Sequence, residues 1–205
     1  MTLPAREALE RLREGNRRFA EGTTRLDAAS SALRRADLVA GQEPFAIVLG
    51  CSDSRVPAEI VFDQGLGDLF VIRVAGNIVA PSQIGSVEFA AERFGTRLVV
   101  ILGHSQCGAV MATLEELRRT DGAPSRNLRS IVDRIRPSVQ DLLGSDLAGD
   151  WDRLLRAAVR ANVRAAVGQL RHGSEVIERL SGQDGLLVVG AEYSLESGVV
   201  DFLDE

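Results

Sequence analysis

The sequence predicts an α/β fold: a central, mostly parallel sheet flanked by helices, with an N-terminal helical arm. Three observations predict it. Apolar runs of strand length recur along the chain, at Phe45–Leu49, Leu69–Val74, Leu98–Leu102, Leu186–Tyr193 and Val199–Leu203. Segments of helical period alternate with the earlier runs, the pattern of a parallel sheet. The last two runs are joined only by Ser194–Gly198, a turn short enough for an antiparallel pair at the edge. No repeat and no linker rich in Gly, Pro or Ser divides the chain. It reads as one domain over residues 1–205, with a helical arm at 1–40 and an α/β core at 41–205.

From Pro4 to about Glu21, apolar residues at Ala5, Ala8, Leu9, Leu12 and Phe19 make a helical stripe among arginines and glutamates. Thr23–Ser31 is a polar connector, and Ala32–Ala40 a short helix stopped by Gly41. After the first strand, Pro57 opens a short helix to about Phe62. The turn Gly65–Asp68 enters the second strand. Pro81 starts a helix that Gly95 ends, with Ile84, Val87 and Ala91 on one face. Beyond the third strand a helix runs from Cys107 to about Arg119. Asp121–Ser125 is a loop, and Leu128–Leu143 a helix broken or kinked at Pro137. The longest helix, Asp150–His172, carries Leu155, Ala158, Val159, Val163, Ala166 and Leu170 on an apolar face that Asn162 interrupts. Ser174–Leu180 adds a last short helix.

Composition narrows the function. With 45% hydrophobic and 26% charged residues and a net charge of −5, the chain is of ordinary globular type. Its arginines alternate with acids, so no basic face for nucleic acid is expected. No apolar run reaches the roughly 18 residues of a membrane span. All 24 basic residues are arginine, which excludes a lysine Schiff base and a phosphate loop ending in Gly-Lys-Ser/Thr. Met1-Thr2-Leu3-Pro4 leads straight into the charged helix with no apolar leader, so a reducing cytoplasm is the expected compartment.

Chemistry concentrates in two turns, Gly50-Cys51-Ser52-Asp53-Ser54-Arg55-Val56 and Gly103-His104-Ser105-Gln106-Cys107-Gly108. Each follows an apolar strand, and the carboxyl ends of such strands are where open α/β sheets bind ligands. Either cysteine alone reads as a core residue, and the two together could form a disulfide. In a reducing compartment, two thiols beside an imidazole point instead to a metal, and two sulfurs with one nitrogen suit zinc. Cys51, His104 and Cys107 are therefore the expected zinc ligands. Asp53 is the local candidate for the fourth position. Arg55 can grip it with two parallel hydrogen bonds and keep it off the metal, so Asp53 is expected as a ligand only in a closed state. His172, Trp151 and Tyr193 read as a cap or exposed side chain and as packing residues.

Taken together, Cys51-Ser52-Asp53-Ser54-Arg55 and His104-Ser105-Gln106-Cys107-Gly108, with Gly65 to Asn77 between them, resemble the β-class carbonic anhydrases from about Gly41 to Gly198. The resemblance implies reversible hydration of carbon dioxide to bicarbonate and a proton by a zinc-bound hydroxide that Asp53, held by Arg55, orients. It implies a small apolar substrate pocket of Phe70, Ala75 and Phe89, with Gln42 reaching into a partner subunit's site. Gly108 is expected where a side chain would crowd the metal. It further implies a homodimer or a dimer of dimers, with part of the N-terminal stripe buried between subunits. One branch of the family adds a regulatory bicarbonate site of tryptophan, arginine and tyrosine. Arg73 and Tyr193 match two of these, but Val48 stands at the tryptophan position, which counts against that site. Hydrolysis of carbonyl sulfide or carbon disulfide by the same zinc site is the alternative activity, and a non-catalytic zinc module a further one.

Overall fold

In the computed structural model, which describes residues 3–25, 32–119 and 125–203, five strands form one sheet in the order β2-β1-β3-β4-β5. The strands are β1 (Ala46–Gly50), β2 (Leu69–Arg73), β3 (Leu98–His104), β4 (Leu187–Tyr193) and β5 (Val200–Leu203). The first four are parallel, and β5 returns antiparallel on β4. Every residue of β1 and β3 is buried. These strands are apolar without alternation because helices cover both of their faces.

One face carries Val48, Val100, Leu102 and Ala191, packed against helix α1 (Ala5–Ala20) and Phe62. The helix places Ala5, Ala8, Leu9 and Leu12 on its own sheet, and Ala8 and Leu12 are fully buried there. The chain's own sheet thus covers Ala5, Ala8, Leu9 and Leu12 of the stripe, while Phe19 is only partly buried. Asn16 ties the helix down, donating from Nδ2 to the carbonyls of Val61 at 3.1 Å and Gly198 at 2.9 Å and accepting from the Val200 amide at 2.8 Å. Helices α2 (Ala32–Asp37) and α3 (Ala58–Val61) follow before β1 and before β2. The polar connector and the loop expected at Thr23–Ser31 and Asp121–Ser125 lie largely outside the described residues.

The opposite face carries Ile47, Leu49, Val99, Ile101 and Val188. It is covered by α4 (Pro81–Arg93), α7 (Trp151–His172) and α8 (Glu175–Gln183). Asp150 and Ser174 cap the last two, accepting from the amides of Arg153 at 3.1 Å and Ile177 at 3.2 Å. Helix α8 runs three residues past its expected end at Leu180, through Gly182. Two glycines bring α7 close to the sheet. A Cβ on Gly103 would clash with Val163 Cγ2, and one on Gly190 would lie 2.8 Å from Val163 Cγ1.

A third apolar cluster lies beneath the strand ends, where α5 (Gly108–Arg118) and α6 (Arg126–Val139) pack on the first half of α7. Helix α6 does not stop at Pro137 but two residues later, passing into a 3-10 turn at Gln140–Gly144.

Candidate metal centre

Cys51 follows directly on β1, His104 is the last residue of β3, and Cys107 caps α5. Because β1 and β3 are hydrogen-bonded neighbours, with Gly50 opposite Leu102, their turns meet at one point of the sheet edge. The ligand atoms of Cys51, His104 and Cys107 lie within 4.8 Å of one another, all three residues are buried, and no other such group of three occurs among the described residues. The two sulfurs are 4.0 Å apart, close to the edge of about 3.8 Å that two sulfurs span on a tetrahedral zinc. The thiols are free, not a disulfide.

His104 shows what the cluster is built for. Its Nδ1 lies 2.9 Å from the Ser105 carbonyl, which assigns the ring proton to Nδ1 and leaves a lone pair on Nε2. That Nε2 is fully buried and has no hydrogen-bond partner. Buried polar atoms are rarely left so, and a metal among the two thiols satisfies this one. The Cys107 thiol as donor holds the Cys51 thiol well below its usual range, with help from His104 and from the Gly76 amide 3.3 Å from its sulfur. The Cys51 partner and burial push Cys107 up.

Beside the cluster stands Asp53, whose Oδ2 is 3.8 Å from His104 Nε2. Arg55 grips it from Nε at 2.9 Å and Nη2 at 2.7 Å, and its backbone amide adds a third bond at 3.0 Å. The Arg55 hydrogen bonds hold the Asp53 carboxyl well below the usual carboxylate range. Arg73 braces the same turn, donating to the carbonyls of Cys51 at 3.0 Å and Asp53 at 2.5 Å. Arg73 is thus engaged with this turn, Val48 is fully buried in the core, and Tyr193 is buried with its ring 6.3 Å from that of Phe19.

Of the expected pocket residues, Ala75 lies in the 3-10 turn Ala75–Asn77 against Cys51. Phe70 and Phe89 do not join it within one chain. Phe70 pairs with Ile47, four residues or roughly 13 Å of strand before Cys51. It clusters instead with Phe89 and Phe94, with ring centroids 5.6–6.2 Å apart, and Phe89 is 54% exposed. Gln42 is exposed in the segment before β1. Among the described residues, nothing outside its own helix turn lies within 4 Å of where a Gly108 Cβ would be, so packing there does not require a glycine. His172 is exposed, 3.5 Å from Glu178, and Trp151 lies under the Arg118 guanidinium.

Sequence reasoning missed the support for Cys51. Asn162 of α7, 3% exposed, donates to the Gly76 carbonyl at 2.9 Å. Its only signal was a polar residue in an apolar face.

The profile of the carbonic anhydrase family matches residues 46–200. The chain belongs to the β-class carbonic anhydrases. Such membership makes it an enzyme of the carbonate dehydratase type. It is 41% identical to carbonic anhydrase 2 of Mycobacterium tuberculosis over 193 residues, which cover 93% of this chain and 89% of that one. Among solved structures, a β-carbonic anhydrase of Aspergillus fumigatus superposes with a TM-score of 0.74 at 29% identity, covering 83% of this chain and 80% of that one. A tetrameric β-carbonic anhydrase of Sordaria macrospora gives 0.70 at 27% identity, covering 83% and 86%.

Proposed function

We propose that this carbonic anhydrase uses zinc, held by Cys51, His104 and Cys107, to interconvert carbon dioxide and bicarbonate. The observation that carries the reading is the buried, partnerless His104 Nε2 facing two thiols, beside a carboxylate that Arg55 restrains. Zinc bound there supplies Lewis acidity, which makes a hydroxide nucleophile available near neutral pH. The rest is the work of the chain. Asp53 remains ionised under all working conditions, so it only accepts hydrogen bonds. By accepting from the attacking oxygen it turns a lone pair toward the substrate carbon. Arg55 fixes the direction of that carboxylate and keeps it from taking the fourth ligand position, as it would in a closed state.

Substrate contact draws on two chains in this reading. Ala75 lines the site from its own subunit. Gln42, Phe70 and Phe89 serve a neighbour's, which accounts for their exposure or distance here, and Gly108 leaves room for what enters. Exposed aromatic surface at Phe89 and the tetrameric relative support a dimer or a dimer of dimers. Two thiols kept reduced fit a cytoplasmic setting.

Metal analysis and rapid-mixing assays of carbon dioxide hydration test the proposal. About one zinc per chain is expected, lost in Cys107→Ala and His104→Ala together with the activity. A protein that hydrolysed carbonyl sulfide but left carbon dioxide untouched would overturn the substrate while leaving the zinc site standing. Full zinc in Cys107→Ala would overturn the ligand set.

A further inference from the structure

Burying an amide in an apolar helix face is unfavourable unless its hydrogen bonds are used, and Asn162 uses its donor on a single turn of backbone. Its Nδ2 holds the Gly76 carbonyl at 2.9 Å, and the amide of the same residue points at the Cys51 sulfur at 3.3 Å. We propose that Asn162 is a positioning residue for the metal: by holding the Gly76 carbonyl it aims the Gly76 N–H at Cys51 and so limits the charge this sulfur gives to a bound ion. The inference rests on the zinc site proposed above.

The turn needs such a hold. Gly76 and Asn77 both have left-handed dihedrals, with φ of 70° and 43°, a conformation that a non-glycine residue such as Asn77 adopts at a cost. Packing fixes the turn from the other side, since a Cβ on Gly76 would lie 2.7 Å from Ile135 and 3.1 Å from Ala109. Helix α7 can reach it because Gly103 and Gly190 admit Val163, the neighbour of Asn162, against the sheet.

The two thiols are served differently. Cys107 caps α5 and faces the amides of Ala109 and Val110 at the helix start, whereas Cys51 follows a strand. The Gly76 amide supplies there what a helix start supplies to Cys107. Two thiolates donate much negative charge to a zinc ion and weaken its Lewis acidity, and each N–H pointed at a sulfur withdraws part of that charge.

The test compares wild type with Asn162→Leu, which fills the space without a donor, and Asn162→Ala. Asn16→Ala is the control, since Asn16 is also a buried asparagine that clamps backbone carbonyls, but at the α1 end of the core. With cobalt in place of zinc, both Asn162 variants should move the sulfur-to-metal absorption band to longer wavelength. Although Cys51 becomes the stronger donor, it is no longer held in place, and zinc should be held about tenfold more weakly in competition with a chelator. Hydration activity should fall near pH 7 and recover at alkaline pH, as the acid limb of the profile moves up. Asn16→Ala should lower the melting temperature and change none of these. In the cadmium-loaded wild-type protein, the Gly76 amide proton should show coupling to the metal nucleus through the sulfur, a test of that hydrogen bond that needs no substitution. Absence of that coupling, or Asn162 variants with the wild-type band and pH profile, would overturn the inference. Failure of wild type to bind cobalt or cadmium would instead sink the zinc site itself.

Discussion

At the residue scale, the Asp53–Arg55 pair separates two jobs that a single carboxylate could confuse. The Arg55 hydrogen bonds depress the Asp53 pKa. A depressed carboxyl stays charged until the pH falls through its lowered value, so Asp53 does not change charge anywhere near neutrality. A rise of activity with pH would then have to come from another group. Asp53→Asn should cut activity by roughly a hundredfold, yet leave the midpoint of the pH profile where it was and the zinc content intact. A midpoint that moved with this substitution would make Asp53 a titrating catalyst. Arg55→Ala releases the carboxylate toward the metal and should likewise cost activity more than zinc, as metal analysis beside the assay will tell. Both side chains were legible from spacing alone, because a carboxylate and a guanidinium two residues apart on one turn can close a bidentate pair. The Gly76 amide was not, since a backbone donor has no letter in the sequence.

At the scale of elements, α1 is where periodicity and structure part company. Its stripe gives the helix and its apolar face correctly, but amphipathicity does not say which surface covers that face. Here it is the chain's own sheet, with Leu12 fully buried. Leu12→Ala should therefore destabilise the fold by about 2–5 kcal/mol, measured by urea denaturation, without altering the oligomeric state seen in sedimentation. Loss of the oligomer with unchanged monomer stability would return the stripe to an interface. The strands were readable because β1 and β3 are covered on both faces and so are apolar throughout. The end of α8 was not, because Gly182 looks like a stop and the helix carries it, ending one residue beyond it at Gln183. Phe70 and Phe89 could be matched to a pocket by their place along the chain, but spacing along a chain carries no information on which subunit's site a ring serves.

At the scale of the whole molecule, one side of the sheet ends in the aromatic group Phe70, Phe89 and Phe94, with Phe89 open to solvent. Phe89→Asp should shift the protein toward monomers by sedimentation and, if the site is shared as proposed, lower hydration activity more than tenfold. A fully active monomer would contradict the shared site. The two ligand-bearing turns, by contrast, are joined inside one chain by the ladder that pairs Ile47 to Gly50 with Val99 to Leu102. Ladders at the centre of a covered sheet open only when the whole domain opens. The amides of Leu49 and Ile101 should be among the slowest to exchange with deuterium, and the metal site shares their protection. Heat should leave no stage at which a frayed site sits on an intact fold, so the lifetime of the enzyme at high temperature is the lifetime of its sheet.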